Sequence, residues 1–407
     1  MGRALAGDAP RRVAVVGAGY AGMAAAVTLA GRGVPVTVLE SGPVPGGRAR
    51  RVTTAGRALD NGQHILVGAY AELLRLMRLV GVPADALLRM PIDLRYADGF
   101  RLRGARDLLF SSRIPLRERF GALRFLLRMR AAGFRLARDT SVAEFLAGHG
   151  QDGVLGHYLW RPLCISALNT PPERASAQVF ATVLRDSIAG PRGASDFLLP
   201  KVDLSRLFPE PAADYLRAHG GELRTGETVR DLAGLRAAHD AVVLAVGPHQ
   251  LKVLLPEAPD FEYQPIYTCY LQYPRGTSLP CPMLGFAHGL VQWAFDRAAL
   301  TGEPGLVACV ISAQGDHQQL EHDELAARCH AELKAAIPRL PDPEWSRVIA
   351  EKRATLACLP GAKPAALLRA PQGIFLAGDY LDPEYPPTLE AAVRSGIRAA
   401  RSILETH

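Results

Sequence analysis

The readable pattern of the chain begins with a short run of apolar positions. Val13-Ala14-Val15-Val16 suits a strand buried on both faces, residues 24–29 have helical composition, and Val36-Thr37-Val38-Leu39 is a second apolar strand that stops at Glu40. A similar pattern closes the chain. Residues 373–376 read as a strand entering a Gly-Asp turn, and residues 386–396 as a helix with Pro386-Pro387 at its start. In between, residues 226–232, 240–248, 261–273 and 306–312 carry strand signals, and 322–337 is an amphipathic helix ended by Pro338. The stretch from 71 to 205 is mostly helical. Within it, residues 115–138 predict one helix. At about 100° per residue, Arg117, Arg124, Arg128 and Arg135 fall on one narrow stripe, with Phe120, Leu123, Leu127 and Phe134 on one flank and Phe125, Met129 and Leu136 on the other. Residues 13–30 also form an uncharged run near the lower limit for crossing a bilayer, but their three glycines, the later Pro35 and the strand pattern argue against a span.

Chemistry enters with the glycines. Gly17, Gly19 and Gly22 stand at G-x-G-x-x-G spacing between the first strand and the helix, and Glu40 follows 18 residues after the last of them. In that context Gly17 permits a tight turn, Gly19 lets the backbone approach a pyrophosphate, and Gly22 lets helix and strand pack closely. The amides of Tyr20 and Ala21 open the helix, so its positive end faces the phosphates. Glu40 can accept both ribose hydroxyls of an adenosine and would repel a 2′-phosphate, which leaves FAD or NAD rather than NADP.

The residues after Glu40 separate these two. Glu40-Ser41-Gly42-Pro43-Val44-Pro45-Gly46-Gly47-Arg48 resembles the opening of the FAD-dependent amine oxidase and carotenoid desaturase superfamily. The resemblance implies that Ser41, Gly47 and Arg48 border an FAD, with the arginine countering phosphate charge. Residues 373–379 and 386–396 look like the C-terminal flavin motif of that family. There the aspartate of the Gly378-Asp379 turn holds a ribityl hydroxyl. The helix starting near Thr388 and Leu389 points its amides at the flavin pyrimidine, where the reduced ring is negative. Val229 matches the valine whose backbone meets the adenine. The expected fold is α/β: a Rossmann-like FAD-binding domain of the amine-oxidase type (11–70, 206–250, 352–407) carrying an inserted, discontinuous α+β substrate domain (71–205, 251–351), a sheet lined with helices.

Composition fits this plan. With 407 residues, 48% hydrophobic and 21% charged, the chain has room for two domains and a large core. Cys164, Cys269, Cys281, Cys309, Cys329 and Cys358 form no C-x-x-C pair and no metal-ligand spacing, so they read as reduced thiols of a cytoplasmic protein. No apolar signal segment precedes the first strand, and the first ten residues read as a disordered tail. The net charge of +7 is uneven: residues 101–138 hold eleven arginines against Asp107 and Glu118. The stripe of Arg117, Arg124, Arg128 and Arg135 suits either a helix at an anionic membrane surface or a helix packed on the domain with its arginines in water. It is too narrow, and too interleaved with leucine and phenylalanine, for nucleic acid.

Three further segments narrow the substrate. Asp60-Asn61-Gly62-Gln63-His64, residues 168–177 (Leu-Asn-Thr-Pro-Pro-Glu-Arg-Ala-Ser-Ala) and residues 291–297 (Val-Gln-Trp-Ala-Phe-Asp-Arg) look like the squalene-associated FAD-dependent desaturases, whose better-defined members are hydroxysqualene dehydroxylases of bacterial hopanoid synthesis. The resemblance runs from about Arg12 to the C-terminus. It departs at Trp160-Arg161-Pro162, where an acidic residue is expected before the proline. It implies that reduced FAD converts hydroxysqualene to squalene and water. Such a reaction calls for a long apolar tunnel and for a proton donor to the departing hydroxyl, with His64 and Asp60 as candidates. No second glycine fingerprint offers a nicotinamide site, so a separate electron donor is implied. Two alternatives share these motifs: a desaturase or amine oxidase running hydride transfer the other way, and a non-catalytic prenyl-lipid carrier.

Overall fold

The computed structural model describes residues 12–54, 56–362, 368–382 and 384–406. The amino-terminal tail and residue 11, where the first cofactor-binding segment is expected to start, lie outside the described residues.

The apolar runs become the middle of a five-stranded parallel sheet. Val13–Val16 lies at its centre, flanked by Val36–Glu40 and Ala241–Leu244, with Glu222–Thr225 and Ile374–Leu376 at the edges. All four pairings are parallel, so each strand delivers its carboxyl end to the same rim. The central strands read as uninterrupted apolar sequence because helices cover both faces. The edge strand differs from its sequence signal. It spans Glu222–Thr225, and residues 226–231 form the loop after it, because the exposed run Gly226-Glu227-Thr228 has no apolar face to bury.

A second, antiparallel sheet of five strands is built from Tyr263–Gln272, Met283–Gly285, Trp293–Asp296, Leu306–Ser312 and Trp345–Leu356. Its residues alternate by face. Tyr270, Ala308, Val310, Trp293 and Phe295 join the large apolar cluster formed with the helices of residues 104–187. Cys269, Leu271, Val307, Cys309 and Ile311 pack on the other side, beneath the helix His322–Ala336. All six cysteines are free thiols, and all but Cys281 are buried.

The basic helix is shorter than expected. It spans Leu116–Ala131 and ends where Gly133 turns to φ +61° and the Phe134 amide donates to the Met129 carbonyl at 2.8 Å. Arg135 lies beyond this end. The turn also divides the flank to which Phe134 belongs: Phe134 is buried, whereas Phe120 and Leu127 are 70% and 58% exposed. No helix among the described residues is long and apolar enough to cross a membrane.

The helix Tyr20–Ala30 is buried at all but one of its residues. It lies between the parallel sheet and the C-terminal helix Leu389–Thr406, and glycines set both distances. A Cβ on Gly22 would stand 1.9 Å from the Gly17 carbonyl oxygen, and one on Gly396 would stand 2.1 Å from that of Ala21. Neither neighbour is a side chain that could swing away. Gly396→Ala should therefore lower the unfolding free energy by about 2 kcal/mol in a denaturant titration. Gly276→Ala, where nothing lies within 4 Å, should stay within about 0.5 kcal/mol of the parent. Equal midpoints for the two variants would contradict the packing described.

Candidate functional site

Two glycine turns meet at the carboxyl rim of the parallel sheet. In the first, Gly17 sits at φ +101°, and a Cβ there would fall 2.7 Å from the Ala245 carbonyl oxygen, so no other residue fits. In the second, the Gly46 amide donates to the Ala18 carbonyl at 2.8 Å. A Cβ on Gly47 would come within 3.2 Å of the Gly19 Cα. The turns thus lie backbone to backbone. The helix Tyr20–Ala30 opens beside them without a side-chain cap, so the first-turn amides, including those of Tyr20 and Ala21, present the positive end of the helix dipole to the cradle. The Tyr20 side chain itself is turned into the core, against Phe208.

Glu40 stands at the tip of the second strand. One carboxylate oxygen accepts the Ala18 amide and the other the Gly42 amide, both at 2.7 Å. Each oxygen keeps a lone pair for a hydroxyl donor. Ser41 is exposed next to it, its hydroxyl 3.5 Å from the same carboxylate. The loop carrying Val229 runs alongside, since the Glu227 amide donates to the Glu40 carbonyl at 2.9 Å.

The C-terminal motif closes onto this cradle. The Arg48 guanidinium donates to Asp379 at 2.7 Å and to the Ala354 carbonyl at 2.8 Å. Burial opposes the charge on Arg48, but Asp379 and Glu351 outweigh it and hold the guanidinium more firmly protonated than usual. The Gly378 amide donates to Ser395 at 3.0 Å, which ties the Gly-Asp turn to the C-terminal helix. Thr388 caps that helix, its hydroxyl accepting the Ala391 amide at 3.2 Å, and Leu389 is its first residue.

The segment 60–64 reaches the same region from below. Gly62 takes φ +101°, and the Gln63 amide donates to the Thr268 hydroxyl at 3.4 Å. Asn61 donates to the Arg48 carbonyl at 2.9 Å and to Glu351 at 3.1 Å. The His64 ring bonds the Gly62 carbonyl through Nδ1 at 3.0 Å. Since a carbonyl only accepts, Nδ1 carries the proton. Burial holds the His64 pKa below its usual value, and the nearby positive charge of Arg48 adds to the effect.

Asp60 is held by partners on both of its oxygens. It is almost completely buried, and its oxygens accept the Leu204 amide at 2.8 Å and Arg297 at 3.2 Å. Burial pushes its pKa up to about 6 against the pull of Arg297. The same guanidinium donates to Gln63 at 3.0 Å and to Glu303 at 3.0 Å. Arg297, Gln63, Thr268 and Glu351 do not stand out as site residues in the sequence. The available signal was that Arg297 and Asp60 both lie in segments that carry the family resemblance. The third such segment is also a joint: the Asn169 amide group donates to the Pro265 carbonyl at 3.2 Å and to Thr355 at 3.0 Å, and its oxygen accepts the Ala313 amide at 2.7 Å. Arg161, at the point of departure from the family pattern, pairs with Glu173 of that segment.

The sequence model of the flavin containing amine oxidoreductases matches residues 20–181 and 215–404. The chain belongs to this family. Its cofactor is accordingly a flavin, FAD. The hydroxysqualene dehydroxylase of Rhodopseudomonas palustris is 30% identical over 97% of this chain and 98% of that protein. The enzyme of the same name from Zymomonas mobilis is 28% identical over 95% of this chain and 97% of that protein. Among solved structures, an oxidoreductase from Methanosarcina mazei superposes with a TM-score of 0.74 at 15% identity, covering 96% of this chain and all of that one.

The residues present fit an FAD. The side-chain-free cradle of Gly19 and Gly47 and the uncapped helix at Tyr20 suit a pyrophosphate, and Glu40 suits the adenosine ribose. Arg48 and Asp379 are joined across 331 residues at the place where the two flavin motifs meet. Removing Asp379 takes from the partly buried Arg48 its paired counter-charge. Asp379→Ala should therefore lower stability by about 2 kcal/mol and leave the purified protein short of flavin. A full flavin complement in that variant, read from its visible absorbance, would count against the assignment.

Proposed function

We propose that this protein is an FAD-dependent hydroxysqualene dehydroxylase. It reduces hydroxysqualene to squalene, and the allylic hydroxyl leaves as water. The observation that carries the reading is the likeness to hydroxysqualene dehydroxylases along nearly the whole chain, at 30% identity, together with a cradle in which the glycine fingerprint, the Gly46-Gly47-Arg48 turn and the Gly378-Asp379 turn meet. When bound and reduced, the flavin supplies the hydride that replaces the hydroxyl. The chain supplies the binding, the orientation and the shielding from water.

In this reading Asp60 and His64 are positioning groups. Both Asp60 oxygens are engaged, and the pair with Arg297 anchors the segment on which Gly62 and His64 lie. His64 is neutral near pH 7 and its one ring proton is held by the Gly62 carbonyl, so it offers Nε2 as an acceptor. A linear isoprenoid needs apolar walls, and the large apolar cluster of the helices of residues 104–187 and one face of the antiparallel sheet reaches the segment of Asp60 through Leu59 and Tyr270. A substrate this insoluble is met at a membrane. Arg117, Arg124 and Arg128 of the helix Leu116–Ala131 are exposed and support a peripheral location on the inner face of the cytoplasmic membrane.

Protein reduced chemically and mixed without oxygen with hydroxysqualene should yield squalene and reoxidised flavin in equal amounts. No squalene from the parent protein would move it to the desaturase or oxidase class. His64→Ala should slow the single turnover but keep any pH step centred above about pH 6.5, because burial and Arg48 hold the His64 midpoint below its usual value of 6.5. Loss of a pH step in that range would restore His64 as the donor.

A further inference from the structure

The largest unexplained feature outside the flavin site is an apolar surface. Five of the eight large hydrophobic side chains described as exposed lie within 18 residues: Phe110 at 76%, Leu116 at 62%, Phe120 at 70%, Leu123 at 48% and Leu127 at 58%. Four of them belong to the helix Leu116–Ala131, whose opposite side buries Ala122, Phe125 and Met129. At about 100° per residue, Leu116, Phe120, Leu123 and Leu127 form a single outward strip. Arg117, Arg124 and Arg128 border it on one side and Arg130 on the other, and all four are exposed. The only acid of the helix, Glu118, lies off the strip and accepts the Leu155 amide at 3.1 Å. An exposed apolar strip bordered by arginine is opposite to the arrangement of a helix lying on a domain with only its charges in water.

We propose that this helix docks the protein on an anionic lipid bilayer, with Phe120, Leu123 and Leu127 entering the acyl boundary and the bordering arginines contacting headgroup phosphates. Charge selects the occupant. Three guanidinium groups along one edge of the strip and Arg130 on the other match a plane of negative headgroups, whereas a second copy would bring like charges together. The inner side of the same helix gives the surface its use. Phe125 packs on Phe145 and Trp160, and these belong to one continuous apolar cluster that reaches Leu59 and Tyr270. The Tyr270 hydroxyl donates to the Asp60 carbonyl at 3.0 Å. The docking face and the flavin-side segment are therefore two ends of one apolar body. The purpose of the surface rests on the proposed substrate being an isoprenoid; its test does not.

The flavin-loaded protein is mixed with vesicles of phosphatidylglycerol and phosphatidylcholine, or of phosphatidylcholine alone, and sedimented. Binding to the anionic vesicles is expected. Arg124→Glu with Arg128→Glu should weaken it by about thirtyfold or more. Phe120→Glu with Leu127→Glu should abolish it while flavin content stays at the parent level. In Phe120→Trp, the difference in emission against the parent should shift to the blue on binding and be quenched by lipids brominated on the acyl chain. Failure to bind anionic vesicles at low salt, or an emission at position 120 that does not change, would overturn the proposal. So would concentration-dependent dimerisation removed by Phe120→Glu, because a second copy would then be the occupant. Turnover of hydroxysqualene dispersed in detergent should be unchanged in the double glutamate variants. Its absence in the parent would sink the proposed reaction and leave the docking result standing.

Discussion

The fold depends on one helix held between two backbones. Tyr20–Ala30 touches the turn at Gly17 through Gly22 and is touched by the C-terminal helix at Gly396, and neither contact leaves space for a Cβ. A helix this buried has no stable face towards water, so it needs both neighbours at once. Satisfying it draws the first and last parts of the chain into one layer, and everything between must leave that layer and return. Closing a loop of that size costs little more than closing a shorter one, because the entropy of closure grows only with the logarithm of length. The ion pair of Arg48 with Asp379 follows from this arrangement. It lies at the mouth of the same layer and joins the two motifs that the helix contact has already brought together.

A second constraint works at right angles to the first. Arg297, just after a strand of the antiparallel sheet, is buried with Asp60 and Gln63 and also reaches the half-buried Glu303. A guanidinium can face three acceptors in one plane, and a lysine could not replace it with the same geometry. The result is that the segment carrying Gly62 and His64 takes its position from the antiparallel sheet as well as from the parallel one. Whatever lies against that sheet is therefore coupled mechanically to the loop under the flavin site. A buried pair of this kind adds little net stability, since desolvation offsets most of the attraction, but breaking it leaves a charge that nothing else can solvate. Its value is in fixing a register.

The strands of the parallel sheet could be read from sequence because burial on both faces leaves runs such as Val13-Ala14-Val15-Val16 with no polar interruption, and the glycine fingerprint because each glycine there answers a distinct backbone demand. The helix at 322 and the strand at 306 were equally plain. What could not be read depends on partners distant in sequence. Asp60 resembles a candidate acid until Arg297, 237 residues away, is seen to occupy it. Val229 carries a strand signal but lies in the loop beyond the strand, where Glu227 follows Glu40. The basic helix shows a further limit. Its periodicity gives two apolar flanks on either side of the arginines, and helical geometry alone treats them alike. Only the packing of Phe125 and Met129 against the core decides that Phe120, Leu123 and Leu127 face outward. Its end is set by Gly133, a signal that the continuing pattern of arginine and leucine obscured.

The charges around the flavin cradle also restrict how the proposed reaction can obtain its proton. Arg48 is fixed by Asp379 and the Ala354 carbonyl, and its positive field suits a reduced flavin, which carries negative charge. The same field, added to burial, disfavours a protonated His64. With its remaining ring proton held by Gly62, His64 is better suited to accept a hydrogen bond than to give a proton to a leaving hydroxyl. Dehydroxylation still needs a proton for the departing hydroxyl, and a donor whose readiness does not depend on carrying a positive charge near Arg48 meets that need. The hydroxyl leaving an allylic carbon in an apolar site imposes the same need, because separating hydroxide from an allylic cation there without a proton in hand would leave two opposite charges in a medium that solvates neither.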